Sequence, residues 1–197
     1  MRRPRAAHPP ENPSSASRRP RTLRPLSASA ALPLPLLFLD VDGTLLPYGR
    51  TRPPADPGEW AVWQHAGNPQ LAEVDRAHGP RLLALPCSPY WATAWTADAN
   101  EVIAPLLGLP RRPVADLPEA PLEDDGDRLH GKTRALVEAA AGRPFAWVDD
   151  EITGLDRAWT ARHHRGPALL HRVDPVTGLT AADFAVLGSW LRHPAAR

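Results

Sequence analysis

Leu34-Pro35-Leu36-Leu37-Phe38-Leu39-Asp40-Val41-Asp42-Gly43-Thr44-Leu45 is an apolar run that ends in two aspartates at i and i+2, with a glycine and a threonine directly after. A short, bounded apolar run of this kind reads as a strand buried on both faces, at the centre of a parallel sheet. Alternation along extended backbone puts Asp40 and Asp42 on one side and turns Val41 away. Gly43 lets the chain turn sharply and approach a ligand closely. Two carboxylates at the end of a buried strand are costly to desolvate, and a divalent cation is the usual compensation.

Working outward, strands and helices alternate. Ser88–Thr93 reads as a second strand, Arg112–Leu117 as a third, Pro144–Val148 as a fourth and Ala168–Val173 as a fifth. Trp60 to about Leu85 is loosely helical, and Thr96 is the expected N-cap of a helix ending at Gly108. Lys132–Ala141 reads as a helix stopped by Gly142. Thr153 and Asp156 form a capping box that opens a helix to about His164, and Thr180 caps the last helix. His163 and His164 fit a solvent-facing helix end rather than a metal site. The expected fold is therefore α/β, a doubly wound parallel sheet with helices on both faces. Ligands of such sheets sit at the carboxyl ends of the strands.

Three polar strand endings fall on that edge: Asp40 with Asp42, Thr93, and Asp149 with Asp150. Lys132, at the start of the helix before the fourth strand, is the only lysine among 197 residues. In a chain whose other fixed cations are all arginine, a compact ammonium there points to a task. This order resembles the four motifs of the haloacid-dehalogenase-like hydrolases. Asp40-Val41-Asp42-Gly43-Thr44 corresponds to motif one, Thr93 to the strand-end Ser/Thr, Lys132 to the helix-start lysine and Asp149-Asp150 to the paired acids.

The resemblance covers roughly residues 35–175 and implies Mg²⁺-dependent hydrolysis of a phosphate monoester. Phosphoryl transfer needs an in-line nucleophile, neutralisation of the equatorial oxygens and a proton for the leaving group. Asp40 is the candidate nucleophile, forming an aspartyl phosphate, and Asp42 the candidate acid and then base. Mg²⁺ would sit on Asp40, the Asp42 main-chain carbonyl and Asp149, with Asp150 either a direct ligand or one shell out. The second aspartate favours a phosphatase over a dehalogenase. A phosphotransferase or mutase, and an idle relative acting as a binding scaffold, are the alternatives.

Gly126–Thr133 also fits the P-loop pattern G-x-x-x-x-G-K-[ST]. A P-loop needs a buried strand before its first glycine, whereas Pro121-Leu122-Glu123-Asp124-Asp125 stand there and would repel a triphosphate. The P-loop NTPase reading also leaves Asp40 and Asp42 idle.

Residues 1–30 form an expected disordered Arg/Pro/Ser/Ala leader, ahead of one catalytic domain over 31–197. An export signal, a transit peptide and a nucleic-acid tail are the alternatives to a plain floppy leader, which the prolines and the lack of a separate apolar segment favour. The leader holds seven arginines against Glu11, leaving 16 basic and 21 acidic residues in the body. A mildly acidic body with an acidic loop over 117–131 argues against nucleic acid as a partner. A single cysteine, Cys87, allows no internal disulfide, and no apolar stretch approaches the ~20 residues that span a bilayer. A cytoplasmic protein without a membrane partner is expected.

The segment 46–87 after the first strand suffices for a flap and a helical excursion, but is short for a full cap domain. The expected site is thus open, with Arg50, Arg52, Trp60 and Trp63 as candidate rim groups. Such a site suits a protruding phosphorylated substrate, or closure by a neighbouring subunit.

Overall fold

The computed structural model describes residues 33–51, 54–118 and 129–194. The expected leader, Arg52 and most of the acidic loop lie outside them. Four parallel strands form one sheet: β1 (Leu36–Leu39), β2 (Ser88–Trp91), β3 (Phe145–Asp149) and β4 (Ala168–Arg172), in the order β2-β1-β3-β4. The chain leaves β1 for β2 on one side and later returns to β3 on the other. That reversal makes a topological switch at the carboxyl end of β1, directly where Asp40 and Asp42 stand.

All four residues of β1 and all five of β3 are buried, so both faces of the sheet are covered. Alternation sorts them. Leu37, Leu39, Ala146 and Val148 face a core completed by Trp63, Leu82, Ile103, Leu107, Leu187 and Leu191. Leu36, Phe38, Phe145 and Trp147 face a second core with Leu136, Ala140 and Ile152. The first core is supplied by α1 (Pro57–Trp63), α2 (His78–Leu83), α3 (Ala104–Leu107) and α6 (Ala181–Arg192); α4 (Lys132–Ala140) covers the second. The remaining helix is α5 (Gly154–His163). At Gly79 any side chain would strike the Leu107 carbonyl, since a Cβ there would lie 2.8 Å from the Leu107 carbonyl carbon. Among the described residues, no helix is long and apolar enough to cross a membrane.

Three local expectations give way. The strand over 112–117 reduces to one bridge, Trp91 with Val114. Its first residue is already committed, because the Asn100 side chain accepts from the Arg112 N–H at 2.7 Å and donates to the Arg112 carbonyl at 2.9 Å. Pro113 adds no donor of its own. Thr96 is not an N-cap. It adopts left-handed backbone at φ 47°, while a cap needs extended backbone, and the helix starts as a π turn over Ala99–Ile103 before α3. His164 is buried rather than solvent-facing. Its Nε2 lies 3.0 Å from the Arg143 carbonyl and its ring meets Phe145 edge-on, with burial holding its pKa below the ordinary value.

The segment between β1 and β2 holds three short helical pieces, α1, a 3₁₀ turn over Pro69–Glu73, and α2. Its beginning is tied down: Tyr48 and Gly49 N–H groups donate to the Pro175 and Val176 carbonyls. The expected capping box at Thr153 forms, and the expected cap Thr180 proves to be a box as well. Thr153 with Asp156 opens α5, and Thr180 with Asp183 opens α6.

Candidate active site

β1 and β3 run side by side in register, Leu39 opposite Val148, so Asp40 and Asp149 leave the sheet as neighbours. The Asp40 N–H donates to the Val148 carbonyl at 3.1 Å, fixing that adjacency through the backbone. Lys132, at the first position of α4, reaches in from the second face. Its Nζ lies 3.0 Å from Asp40 Oδ1 and 2.8 Å from Asp149 Oδ2. Three of the predicted site residues, distant in sequence, therefore share one point. Asp149 is fully buried and also accepts from the Trp147 indole and the Glu151 N–H.

Asp150 joins them. Carboxylate oxygens of Asp40, Asp149 and Asp150 all lie within 4.8 Å of one another. Gly43 makes room for this. Its φ is +64°, and a Cβ there would fall 2.5 Å from the Asp150 Cγ, so a side chain is excluded on both conformational and steric grounds.

The charges do not balance. Asp40, Asp42, Asp149 and Asp150 are buried, and a single ammonium, that of the half-buried Lys132, stands among them. Burial raises the Asp40 carboxyl well above the ordinary range; Lys132 opposes this, while Asp149, Asp42 and Asp150 add to it. Burial, then the Asp149 and Glu151 charges, lift Asp150 to about 7. Burial would lower the Lys132 pKa, but Asp149 and Asp40 outweigh it and the ammonium is held protonated. Hard oxygen donors, close spacing and surplus negative charge fit a small divalent cation such as Mg²⁺.

Asp42 has a different environment from the one its spacing suggests. The Trp63 indole N–H donates to Oδ1 at 2.7 Å, and the Trp95 indole lies 2.9 Å and 3.0 Å from Oδ1 and Oδ2. Burial raises the Asp42 pKa, and the Trp95 and Trp63 donors partly counter it. Trp63 is thus a core partner of Asp42 rather than a rim group, and Trp60 packs edge-on against it. Arg50 is exposed.

Thr93 is buried two residues beyond the end of β2. Its hydroxyl accepts from the Trp95 N–H at 3.3 Å, and among the described residues it makes no hydrogen bond to Asp40, Asp42 or Lys132. The Thr133 hydroxyl, the would-be metal ligand of a P-loop, donates instead to Asp156 at 2.6 Å.

His130 was not foreseen. Its Nδ1 accepts from the Lys132 N–H, so in the neutral ring Nε2 carries the proton and donates to Glu151 at 2.9 Å. Burial would lower its pKa, but the Glu151 bond and the Asp149 charge prevail and raise it. His130, Asp149 and Glu151 also lie within 4.8 Å of one another, yet that tautomer gives Nε2 no lone pair for a cation. The pair is a hydrogen-bonded dyad at the site's margin. Its only sequence signal is a histidine two residues before the single lysine.

No protein family, curated protein or solved structure matches the chain.

Proposed function

We propose that this protein is a Mg²⁺-dependent phosphomonoester hydrolase of haloacid-dehalogenase type, working through an aspartyl phosphate. One observation carries the reading: Lys132 Nζ sits between Asp40 and Asp149, with Asp150 beside them, at the switch point of a parallel sheet. Asp40, Asp149 and Asp150, with the Asp42 main-chain carbonyl, would hold Mg²⁺, which would neutralise charge on the phosphoryl oxygens and the attacking carboxylate. Asp40 Oδ attacks phosphorus in line, the P–O bond to the leaving group breaks, and Asp42 delivers a proton to the departing oxygen. Asp42 then takes a proton from the water that cleaves the aspartyl phosphate. Lys132 holds the nucleophile and the phosphoryl oxygens by charge.

The two indole donors on Asp42 favour a second reading. A carboxylate so engaged has a reduced capacity to give and take protons, which suits an idle binding scaffold. Turnover of p-nitrophenyl phosphate with and without Mg²⁺ separates the two. The hydrolase requires Mg²⁺-dependent release of p-nitrophenol that Asp40→Asn abolishes, a loss of about 10⁴-fold or more. Absence of turnover from a folded, Mg²⁺-binding protein across a panel of phosphorylated metabolites favours the scaffold.

A further inference from the structure

The residues that flank Lys132 share one anchor. Asp156 is fully buried, and its two oxygens face two different segments. Oδ1 accepts from the His130 N–H at 2.9 Å and the Thr133 hydroxyl at 2.6 Å, which bracket Lys132 in sequence. Oδ2 accepts from the Thr153 N–H at 2.7 Å and the Thr153 hydroxyl at 2.6 Å, two residues after Glu151. Lys132's own N–H is taken by His130 Nδ1 at 3.0 Å, so the turn carrying the ammonium is tied on both sides.

A capping box alone accounts for Oδ2. It does not account for Oδ1, whose partners lie 26 and 23 residues earlier in the chain. The N-cap residue of α4 is Gly131, which makes no side-chain cap bond, so that helix start borrows its anchor from α5. The box that opens α6 is the internal control: Asp183 repeats the Thr180 bonds, but its other oxygen meets His171 on β4 rather than the turn that carries Lys132.

We propose that Asp156 is a positioning residue: it locks the start of α4 to the end of the β3 loop and so sets Lys132 between Asp40 and Asp149. Its catalytic consequence rests on the hydrolase reading above. Its geometric consequence does not, since Lys132 is the only lysine and its amine can be followed directly.

The test uses the full chain with Asp156→Asn, Asp183→Asn, Thr133→Val and Thr133→Ser, each assayed below its own melting transition. Acetylation of Lys132 by an N-hydroxysuccinimide ester is followed by peptide mass, and p-nitrophenyl phosphate turnover is measured with Mg²⁺. Asp156→Asn should speed acetylation about tenfold and lower kcat by up to about 100-fold with KM little changed. Asp183→Asn should leave both at wild-type values. Thr133→Val should show the same changes in smaller measure, about threefold, and Thr133→Ser should restore them. Wild-type acetylation in a folded Asp156→Asn protein overturns the proposal, as does an equal rise in Asp183→Asn. If Asp156→Asn does not fold, equal rates for the valine and serine variants overturn it. Should the wild type turn over no phosphomonoester, the hydrolase reading fails while the acetylation rates still decide the position of Lys132.

Discussion

Asp150 and Asp156 stand six positions apart in one connection, and their carboxylates have opposite surroundings. Asp156 is saturated by four donors, and although burial works against it, the Thr133, Thr153 and His130 hydrogen bonds hold its pKa below the ordinary value. Asp150 faces Asp149 and Glu151, and its carboxyl is pushed up to about 7. The chain thus supplies four donors for the acid that organises the fold and only its own backbone N–H for the acid that shares a point with Asp40 and Asp149. A buried carboxylate whose donor, its own backbone N–H, does not offset burial and two neighbouring acids is under-compensated, and here that shortfall coincides with the candidate cation site.

The largest test of this contrast is the pH dependence of stability. A carboxyl whose folded pKa lies above its unfolded value binds its proton more tightly in the native state. Stability is therefore highest near and below the unfolded pKa and falls as pH rises. For Asp150 the window runs from the ordinary value of 3.8 to about 7, worth on the order of 4 kcal/mol when fully traversed. Asp40 and Asp42, raised as well, add in the same direction. In chelator at pH 8, Asp150→Asn should melt higher than wild type, and at pH 4 the two should coincide. Mg²⁺ should raise the wild-type melting temperature at pH 8 and have little effect on the variant. A variant that melts lower than wild type at pH 8 in chelator would break the contrast.

Asp156 gives the opposite sign and a somewhat smaller effect. Its folded pKa is lowered, so its contribution is present above the unfolded value near pH 4 and disappears as pH falls through the folded pKa. Asp156→Ala strands buried donors of His130, Thr133 and Thr153 and should cost about 3 kcal/mol at pH 7. Asp183→Ala, in the partly exposed box at α6, should cost about 1 kcal/mol. Urea unfolding at pH 7 and pH 3 reads both. The Asp156 loss should shrink at the lower pH, because the wild type then forfeits the same bonds.

How far the sequence reveals this follows from the range of each interaction. The four strands and both capping boxes are written in local patterns: apolar runs for β1 and β3, and Thr-x-x-Asp at Thr153 and Thr180. Lys132 stands out by composition alone, and its pairing with Asp40 and Asp149 follows from strand order. What local pattern could not show was long-range. Trp63 and Trp95 reach Asp42 from 21 and 53 residues away, and nothing near Asp42 marks them. The 112–117 strand shrank to a single bridge because Asn100 had already taken both backbone groups of Arg112. Asp156 announced one of its two oxygens through the capping box, and the other became visible only when α4 and α5 were placed side by side.

The smallest expected effect sharpens the comparison between the two boxes. His171 Nε2 lies 2.7 Å from Asp183 Oδ1 in a partly exposed position, the counterpart of the Thr133 hydroxyl at Asp156. His171→Gln should cost about 0.5 kcal/mol, because water can replace the lost partner and the Thr180 bonds persist. Turnover and Lys132 acetylation should stay at wild-type values. Thr133→Val, which removes one hydrogen bond of similar length, should cost about 1 kcal/mol or more, since water cannot reach Asp156 to replace the donor. Chemical denaturation of the two variants side by side makes the comparison. Equal losses would mean that the boxes differ only in their neighbours; a larger loss at Thr133 would mean that burial itself turns a common helix cap into the anchor of the lysine.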